Sequence, residues 1–487
     1  TTEYIYDELD QLLEIHDGGR CITAFKYNDD GTIKEAVSAN GMKNLYGYDT
    51  DKNLIELDIN FNGEVLAKNR YAYDSNGNRT IKRQLRGTTY YAYDSINQLT
   101  NVKYPDYEEQ LFYDKAGNRS KRIVNDVTEY YLYDKRNRLI RQVFQKPTGT
   151  TAKHYIYDNA GSLMNDGERS YKNDGFNRVT QVKTTTGQVQ INRYDAEGLR
   201  YEMEENKKLV QFIFNENRDV VVEKSDSDIK RLIRSYDLWA SECEPEKTWY
   251  HYASDEQGSI VFITDDNKVC NKYDYDAWGN LTTCEEIIPN RFLYTGQQFD
   301  QITQQYYLRA RYYNPVIARF TQEDVYRGDG LNLYTYCDNN PVIYYDPSGY
   351  SACNKPDFKN SLEKNTVQSL NPNNIRFSQS SINDEKELIE SMQKNGWNGE
   401  PIDVVLMKDN KLTTLDNTRV YSARRVGIKV KANVHEFNER LPEKFIERFT
   451  TPKGVPSTWG EAVKLRIGKQ KSNFRKNNPF GAEELYK

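Results

Sequence analysis

One phrase returns along the first two-thirds of the chain: YAYDSNGNR at Tyr71, YAYDSINQL at Tyr91, LFYDKAGNR at Leu111 and YLYDKRNRL at Tyr131. Its aspartates, Asp74, Asp94, Asp114 and Asp134, stand at equal intervals, and further copies begin at Tyr4, Tyr46, Tyr155 and Tyr273. Aromatic residues alternating with small or polar ones carry the period-2 signal of a strand, and Asp followed by Gly-Asn or Asn-Gln is hairpin chemistry. Each copy therefore reads as a β-hairpin in which the Asp forms the turn and has no chemical role. A single hairpin cannot bury its own face, so units of about 20 residues must stack into a long sheet that curls into a solenoid or shell.

Tyrosine and charge both change near residue 350. Of 39 Tyr, 37 precede Ser351. Residues 351–487 hold 24 Lys+Arg against 17 Asp+Glu, net +7, whereas residues 1–350 hold 43 against 55, net -12. Two different objects are joined there. With only 37% apolar residues but 13% aromatic, burial in the first is expected to rely on amphipathic rings rather than an aliphatic core. No run of 18 apolar residues exists, and the opening TTEYIYDELDQL has neither the basic nor the apolar region of a signal peptide. The chain starts mid-pattern without Met, so upstream delivery segments are expected. The six cysteines have no C-x-x-C spacing, which speaks against a disulfide framework and a zinc site.

The repeated phrase resembles the YD repeats of RHS proteins, teneurins and the C-component of Tc toxins, whose sheets spiral into a hollow barrel. From Trp249 the likeness sharpens: WYHYASDEQGSIVFITDDNKVCNKYDYDAWGNL, NRFLYTGQQFDQITQQYYLRARYYNPVIARFTQED and GLNLYTYCDNNPVIYYDPSGY are similar to the RHS-associated core. That resemblance implies a plug for the shell and an aspartyl self-cleavage after the DPxG element. Asp324 and Asp346 would carry the cut next to Tyr350, one carboxylate ionised and the other holding the shared proton. Val325 stands where the family often has Pro. Asp346-Pro347-Ser348-Gly349 is also an ideal β-turn, and that reading stays open beside the catalytic one. The expected division is a YD-repeat shell over 1–248, an RHS core over 249–350 and a toxin domain over 351–487.

The last segment follows different rules. INDEKELIESMQKNG reads as a helix capped by Asn383 and ended by Gly396, PIDVVLMKDNKLTTL as two strands about Asp409-Asn410, DNTRVYSARRVGI as a helix capped by Asp416 or Asn417, and KVKANVHEF as a closing strand. This order, with TTLDNTR, resembles the small α+β ParB/sulfiredoxin-like fold in the form carried by bacterial polymorphic toxins. The sulfiredoxin cysteine is missing from DNTR, which excludes repair of oxidised cysteine. No helix-turn-helix is legible after Leu441, where partition-type ParB proteins carry one.

A helix N-terminus with Asn417, Thr418 and Arg419 can cradle a phosphate. Arg424 and the basic run Lys464, Arg466, Lys469, Lys471, Arg475 and Lys476, interleaved with Trp459 and Phe474, have the composition of a nucleic-acid surface. His435, the only His after residue 350, is the candidate general base or acid. Asp416 and Glu400, with Asp403 and Glu436, are the carboxylates that would hold Mg2+ if the chemistry uses a metal.

Together these readings imply a secreted or cell-surface-delivered polymorphic toxin. Its shell would contain and release a nuclease, DNA favoured over RNA, that acts in the target-cell cytoplasm and has a cognate immunity protein. The competing class is a teneurin-like adhesion protein with a non-catalytic nucleotide-binding tail.

Overall fold

The computed structural model describes residues 1–226, 228–325, 332–354, 368–382, 385–397, 401–408, 411–437, 439, 441–452 and 454–485. The chain divides into two units, Thr1–Lys359 and Asn360–Lys487.

In the first unit the repeated phrase explains itself residue by residue. The Asp74 N–H donates to the Asn78 carbonyl at 2.9 Å, and the Asp74 carboxylate accepts from the N–H groups of Asn76 and Asn78, both at 2.9 Å. The third residue after the Asp is left-handed, with φ +80° at Gly77, +64° at Asn97, +74° at Gly117 and +61° at Asn137, which is why Gly or Asn stands there. The Tyr before each Asp donates its hydroxyl to the main chain of the preceding repeat: Tyr93 to Arg79 O (2.6 Å), Tyr113 to Leu99 O (2.7 Å) and Tyr133 to Arg119 O (2.8 Å). A Phe could pack in this place but could not make that stitch.

The last position of the phrase, Arg or Leu, points inward: Arg79, Leu99, Arg119 and Leu139 are all buried. Arg119 lies over the Trp278 ring at 4.1 Å, and Arg79 pairs with buried Glu256 at 2.7 Å. Leu12, Ile15, Leu57 and Ile59 are fully buried as well. This corrects the expectation of a ring-based interior. Aliphatic residues share the core with tyrosine because every other strand position faces inward whatever the composition.

The strands form two antiparallel sheets in which each strand pairs with its sequence neighbours. One has 15 strands, from Thr2–Tyr6 to Gly149–His154, and the other 14, from Ile156–Tyr157 to Leu281–Glu286. The break falls at Tyr155, whose N–H still bonds Ile140 O, while Leu163 N–H has turned to Thr321 O. Residue 248 is no break: Thr248–Ser254 pairs with Leu238–Glu244 on one side and Ile260–Thr264 on the other.

Beyond the second sheet, Gln298–Asp300, Gln305–Tyr307, Tyr312–Asn314 and Arg319–Phe320 form a small four-stranded sheet. This segment and the residues after it bond to the repeat turns. Asn339 donates to Gly117 O (2.8 Å), Asn340 to Asn78 Oδ1 (2.9 Å), Arg319 to Asn137 O (2.6 Å) and Tyr334 to Gly161 O (2.8 Å). The core element is thus fitted to a surface that repeats with every hairpin.

The second unit is α+β. Its five-stranded mixed sheet has the order Gln368–Leu370, Val430–Glu436, Ile402–Leu406, Leu412–Thr414, Ile375–Phe377. The described helices are α1 (Glu385–Asn395), α2 (Asn417–Val426), α3 (Glu443–Phe449), α4 (Trp459–Gly468) and α5 (Ser472–Asn477). The two expected helices and three expected strands are present. Gly396 (φ +66°) follows α1, and Asp416 is the cap of α2, accepting from Arg419 N. Asn383, Glu400, Asp409 and Asn410 lie outside the described residues, as does the Glu436 side chain. The basic run after Leu441 folds as α3 to α5, and the availability of its aromatics is corrected: Trp459 and Phe474 are 1% and 2% exposed in one hydrophobic cluster. They are core residues, unavailable to stack on bases.

Candidate functional site

In the first unit, Asp324 and Asp346 meet at one guanidinium. Arg311 Nη2 lies 2.8 Å from Asp324 Oδ2 and 3.8 Å from Asp346 Oδ2, and all three side chains are buried. The same Arg311 donates through Nε to the Gly349 carbonyl and through Nη1 to Leu333 O at 3.1 Å. Asp346 Oδ1 accepts from Ser348 N (3.0 Å) and Gly349 N (2.8 Å), so the turn and the acid are the same object. Gly349 has φ +76°, and a Cβ there would sit 2.7 Å from Leu308 O and 2.9 Å from Arg311 N, so only glycine fits. Burial pushes the Asp346 carboxyl above its usual range against the pull of Arg311. Asp324, the nearer of the two carboxylates, is the direct partner of Arg311. A small cavity beside them is lined by Arg311, Asp324, Asp338, Asp346 and Ala352. The chain leaves it through Cys353–Asn354, which pairs back on Tyr344–Tyr345.

Arg311 is the member that sequence reading missed. Its signal was available: an Arg in the LRARYYNP phrase, immediately before the strand Tyr312–Asn314.

In the second unit the parallel strands Ile402–Leu406 and Val430–Glu436 put Asp403 opposite Asn433 and Val405 opposite His435. His435 lies diagonal to Asp403, with Nε2 3.0 Å from Asp403 Oδ1 and Nδ1 2.8 Å from Glu439 Oε1. Its ring stacks on Trp459 at 3.8 Å between centroids and 13° between planes. Burial opposes the charge on His435, but the hydrogen bonds it donates to Asp403 and Glu439 outweigh it and raise its pKa to about 9. The imidazole is therefore a cation at neutral pH, which of the two expected roles, general base or acid, favours the acid or a fixed charge. Burial likewise opposes ionisation of Asp403, yet His435, Asn433 and the nearby Arg419 hold its carboxyl below the usual range.

Two contacts at the start of α4 set this geometry: Trp459 N–H to Glu439 O and Gly460 N–H to Phe437 O, both 2.9 Å. A Cβ on Gly460 would lie 2.5 Å from Phe437 O. Gly460→Ala is expected to cost the tail unit about 1–3 kcal/mol and to lift Trp459 from His435; urea unfolding and the Trp fluorescence of the tail report both.

Arg419 Nε and Nη2 both bond Asp416 Oδ2, at 2.7 and 2.6 Å, and its guanidinium lies 5.8 Å from the Trp397 ring centre. Arg466 is within electrostatic reach of Asp416, and burial with Arg448 beside it pulls its guanidinium below the ordinary range. Arg466 donates to Gln379 Oε1 (3.1 Å), which also accepts from Asn417 Nδ2 (3.1 Å). Hydrogen bonds thus join Arg466, Gln379 and Asn417 in one group and Asp416 with Arg419 in another, and Arg419 lies within electrostatic reach of Asp403, the partner of His435.

The remaining expected residues divide. Asn417 is buried and spends its amide on Ser378 and Gln379, so it is a positioning residue rather than part of an open phosphate cradle. Arg424 donates to the carbonyls of Pro372, Ile375 and Glu483 and serves the fold. Thr418 is half-buried; Lys464, Lys469 and Arg475 are exposed, and Lys464 lies over the Phe437 ring at 4.7 Å. Among the described residues, Asp403 and Asp416 are engaged by cationic side chains and do not converge with a third metal ligand.

The family model for the teneurin YD-shell matches residues 80–342, more than half of the chain. The chain belongs to the YD-shell family. The tRNA nuclease WapA of Bacillus subtilis (strain 168) is 31% identical over 371 residues, covering 72% of this chain and 16% of the relative. The double-stranded DNA deaminase toxin A of Burkholderia cenocepacia (strain H111) is 31% identical over 112 residues, covering 21% of this chain and 8% of that one. The crystal structure of TcdB2-TccC3 superposes with a TM-score of 0.55 at 18% identity, over 72% of this chain and 21% of that chain. The last likeness shows the fold alone. This YD-shell chain spans about one-sixth of the length of its WapA relatives.

Proposed function

We propose that this YD-shell protein is a polymorphic toxin delivered at or beyond the cell surface, and that its second unit cleaves phosphodiester bonds in the target cell. The observation that carries the reading is the His435 imidazolium held by both Asp403 and Glu439, with Arg419 within electrostatic reach of the same Asp403. Arg419 and Arg466 would receive the phosphate and His435 would protonate the leaving oxygen. With His435 already protonated, the base role falls to Asp403 or Asp416. The names of the relatives that support a toxin mention both tRNA and double-stranded DNA. The DNA preference expected of a ParB-like nuclease is therefore assayed beside RNA.

The test is expression of residues 351–487, scored for growth arrest and for loss of plasmid DNA and of total RNA. Arg419→Ala is expected to lower cleavage about 10²–10³-fold. An adhesion protein with a nucleotide-binding tail would leave the cells growing and both substrates intact.

Release of the tail is the second half of the reading. Asp346, whose burial favours the protonated form, would donate to the peptide group next to Tyr350, while Asp324, fixed by Arg311, would activate water. The purified chain is then expected to give two species in denaturing conditions instead of one of about 57 kDa. Asp324→Asn and Asp346→Asn should each restore the single species. A single species in every case would leave Asp346 as a turn former.

A further inference from the structure

Far from both sites in sequence, the second hairpin of the chain assembles a set of donors that the cysteine spacing did not reveal. Glu14 and His16 are two residues apart on the strand Leu12–Asp17, so they share a face, and Cys21 on the strand Arg20–Tyr27 is the direct partner of His16. A two-residue turn joins them: Asp17 pairs with Arg20 across Gly18 and Gly19, with φ +56° and +81°. Such a turn fixes register and leaves no loop to absorb motion. The Glu14 carboxylate, a His16 ring nitrogen and the Cys21 thiol lie within 4.8 Å of one another, and Glu14 Oε2 is 2.6 Å from His16 Nε2.

We propose that Glu14, His16 and Cys21 form a site for one Zn2+ ion, with the fourth position open to water or to Glu3. A carboxylate oxygen, an imidazole nitrogen and a thiol sulfur are the donor types zinc takes. Mg2+ and Ca2+ prefer all-oxygen sets, so the sulfur and nitrogen argue against them. Bond lengths of about 2.0–2.3 Å put tetrahedral donors about 3.3–3.7 Å apart. The present spacing, within 4.8 Å, is close to that, and the metal would replace the hydrogen bond between Glu14 and His16. Glu3, on the first strand, is the cross-strand partner of His16 and is exposed, so it stands at the register position a fourth ligand would use. His16 and Glu14 side chains are 22% and 44% exposed, which gives an ion a path in. Binding would release the Cys21 proton, so affinity should rise with pH. The site would tie the first strands of the long sheet together at its open edge.

The full chain, stripped with chelator and dialysed, is titrated with Co2+ and then with Zn2+. The expected result is one Co2+ per chain with a thiolate-to-cobalt absorption band, displaced by one equivalent of Zn2+. Cys21→Ser should remove the band, and His16→Ala should weaken binding at least about 100-fold, with far-ultraviolet circular dichroism unchanged in both. Cys284→Ser, an exposed cysteine on another strand, should leave the band intact. Zn2+ should raise the melting temperature of the parent chain but not of Cys21→Ser. Absence of the band in the parent chain, or its survival in Cys21→Ser, would overturn the proposal.

Discussion

Asp300→Ala is expected to destabilise the YD-shell unit by about 3–5 kcal/mol, more than any surface substitution in the chain. Arg200 and Asp300 have fully buried side chains and meet through two oxygens, at 2.5 and 2.9 Å. Arg200 also donates to Gln298 Oε1 (2.7 Å) and Tyr312 OH (2.9 Å), and its guanidinium lies 4.3 Å from the Tyr307 ring centre. Removing the carboxylate leaves a fully buried guanidinium, and the cost is that of an uncompensated buried charge rather than of the lost bond. The pair joins the second long sheet to the four-stranded element, far along the chain, so its loss should loosen that junction first. Lys26–Glu35, with Lys26 70% exposed, is the control: Glu35→Gln should cost less than about 1 kcal/mol. Arg200→Met with Asp300→Leu should recover most of the stability lost in Asp300→Ala, because an apolar pair needs no counter-charge. Guanidinium unfolding of the four chains decides it. Equal midpoints for Asp300→Ala and Glu35→Gln would refute the argument.

That pair marks where sequence reading stops. The hairpins were legible because every cause is local: Asp74 caps its own turn, Gly77 supplies the left-handed residue, and both roles recur in the next copy of the phrase. Nothing local says that the Arg ending one phrase will face an Asp in QQFDQ. Likewise the Arg/Leu position looks variable in sequence but is one inward site filled in two ways, by an aliphatic chain or by a guanidinium lying on aromatic rings. In the tail, the helix start at Asp416 and the residue types Arg419 and His435 were legible. Their grouping was not, because His435 reaches Asp403 across strands that are adjacent in space but separated in sequence by Leu412–Thr414 and α2. Trp459 was misread for the same reason. Among basic residues it resembles a surface for bases, whereas its neighbour Gly460 lets the helix approach Phe437 and lays the indole on His435.

His435→Gln is expected to lower phosphodiester cleavage by the tail about 10²–10⁴-fold and to remove one pH dependence of its stability. In the folded unit the imidazolium is favoured up to about 9, against 6.5 ordinarily. Its contribution is therefore complete below 6.5, declines as pH rises, and is gone above about 9. After allowance for solvent screening it amounts to on the order of 2 kcal/mol. Asp403, held below its usual range, works in the other direction: its contribution is present above the ordinary carboxylate pKa near 3.8 and is lost as pH falls further. Thermal melts of the tail from about pH 4 to 10 should show a plateau up to about 6.5 and a descent from there to about 9, the descent absent in His435→Gln. Cleavage should instead hold across that descent and fall only beyond it, because an acid that must hold its proton loses activity as pH passes about 9. A rate that instead climbs between pH 6.5 and 9 would mean that neutral imidazole is the active form and that Asp403 and Glu439 release it when substrate binds. That outcome would return His435 to the role of base and remove the geometric ground for assigning that role to Asp403 or Asp416.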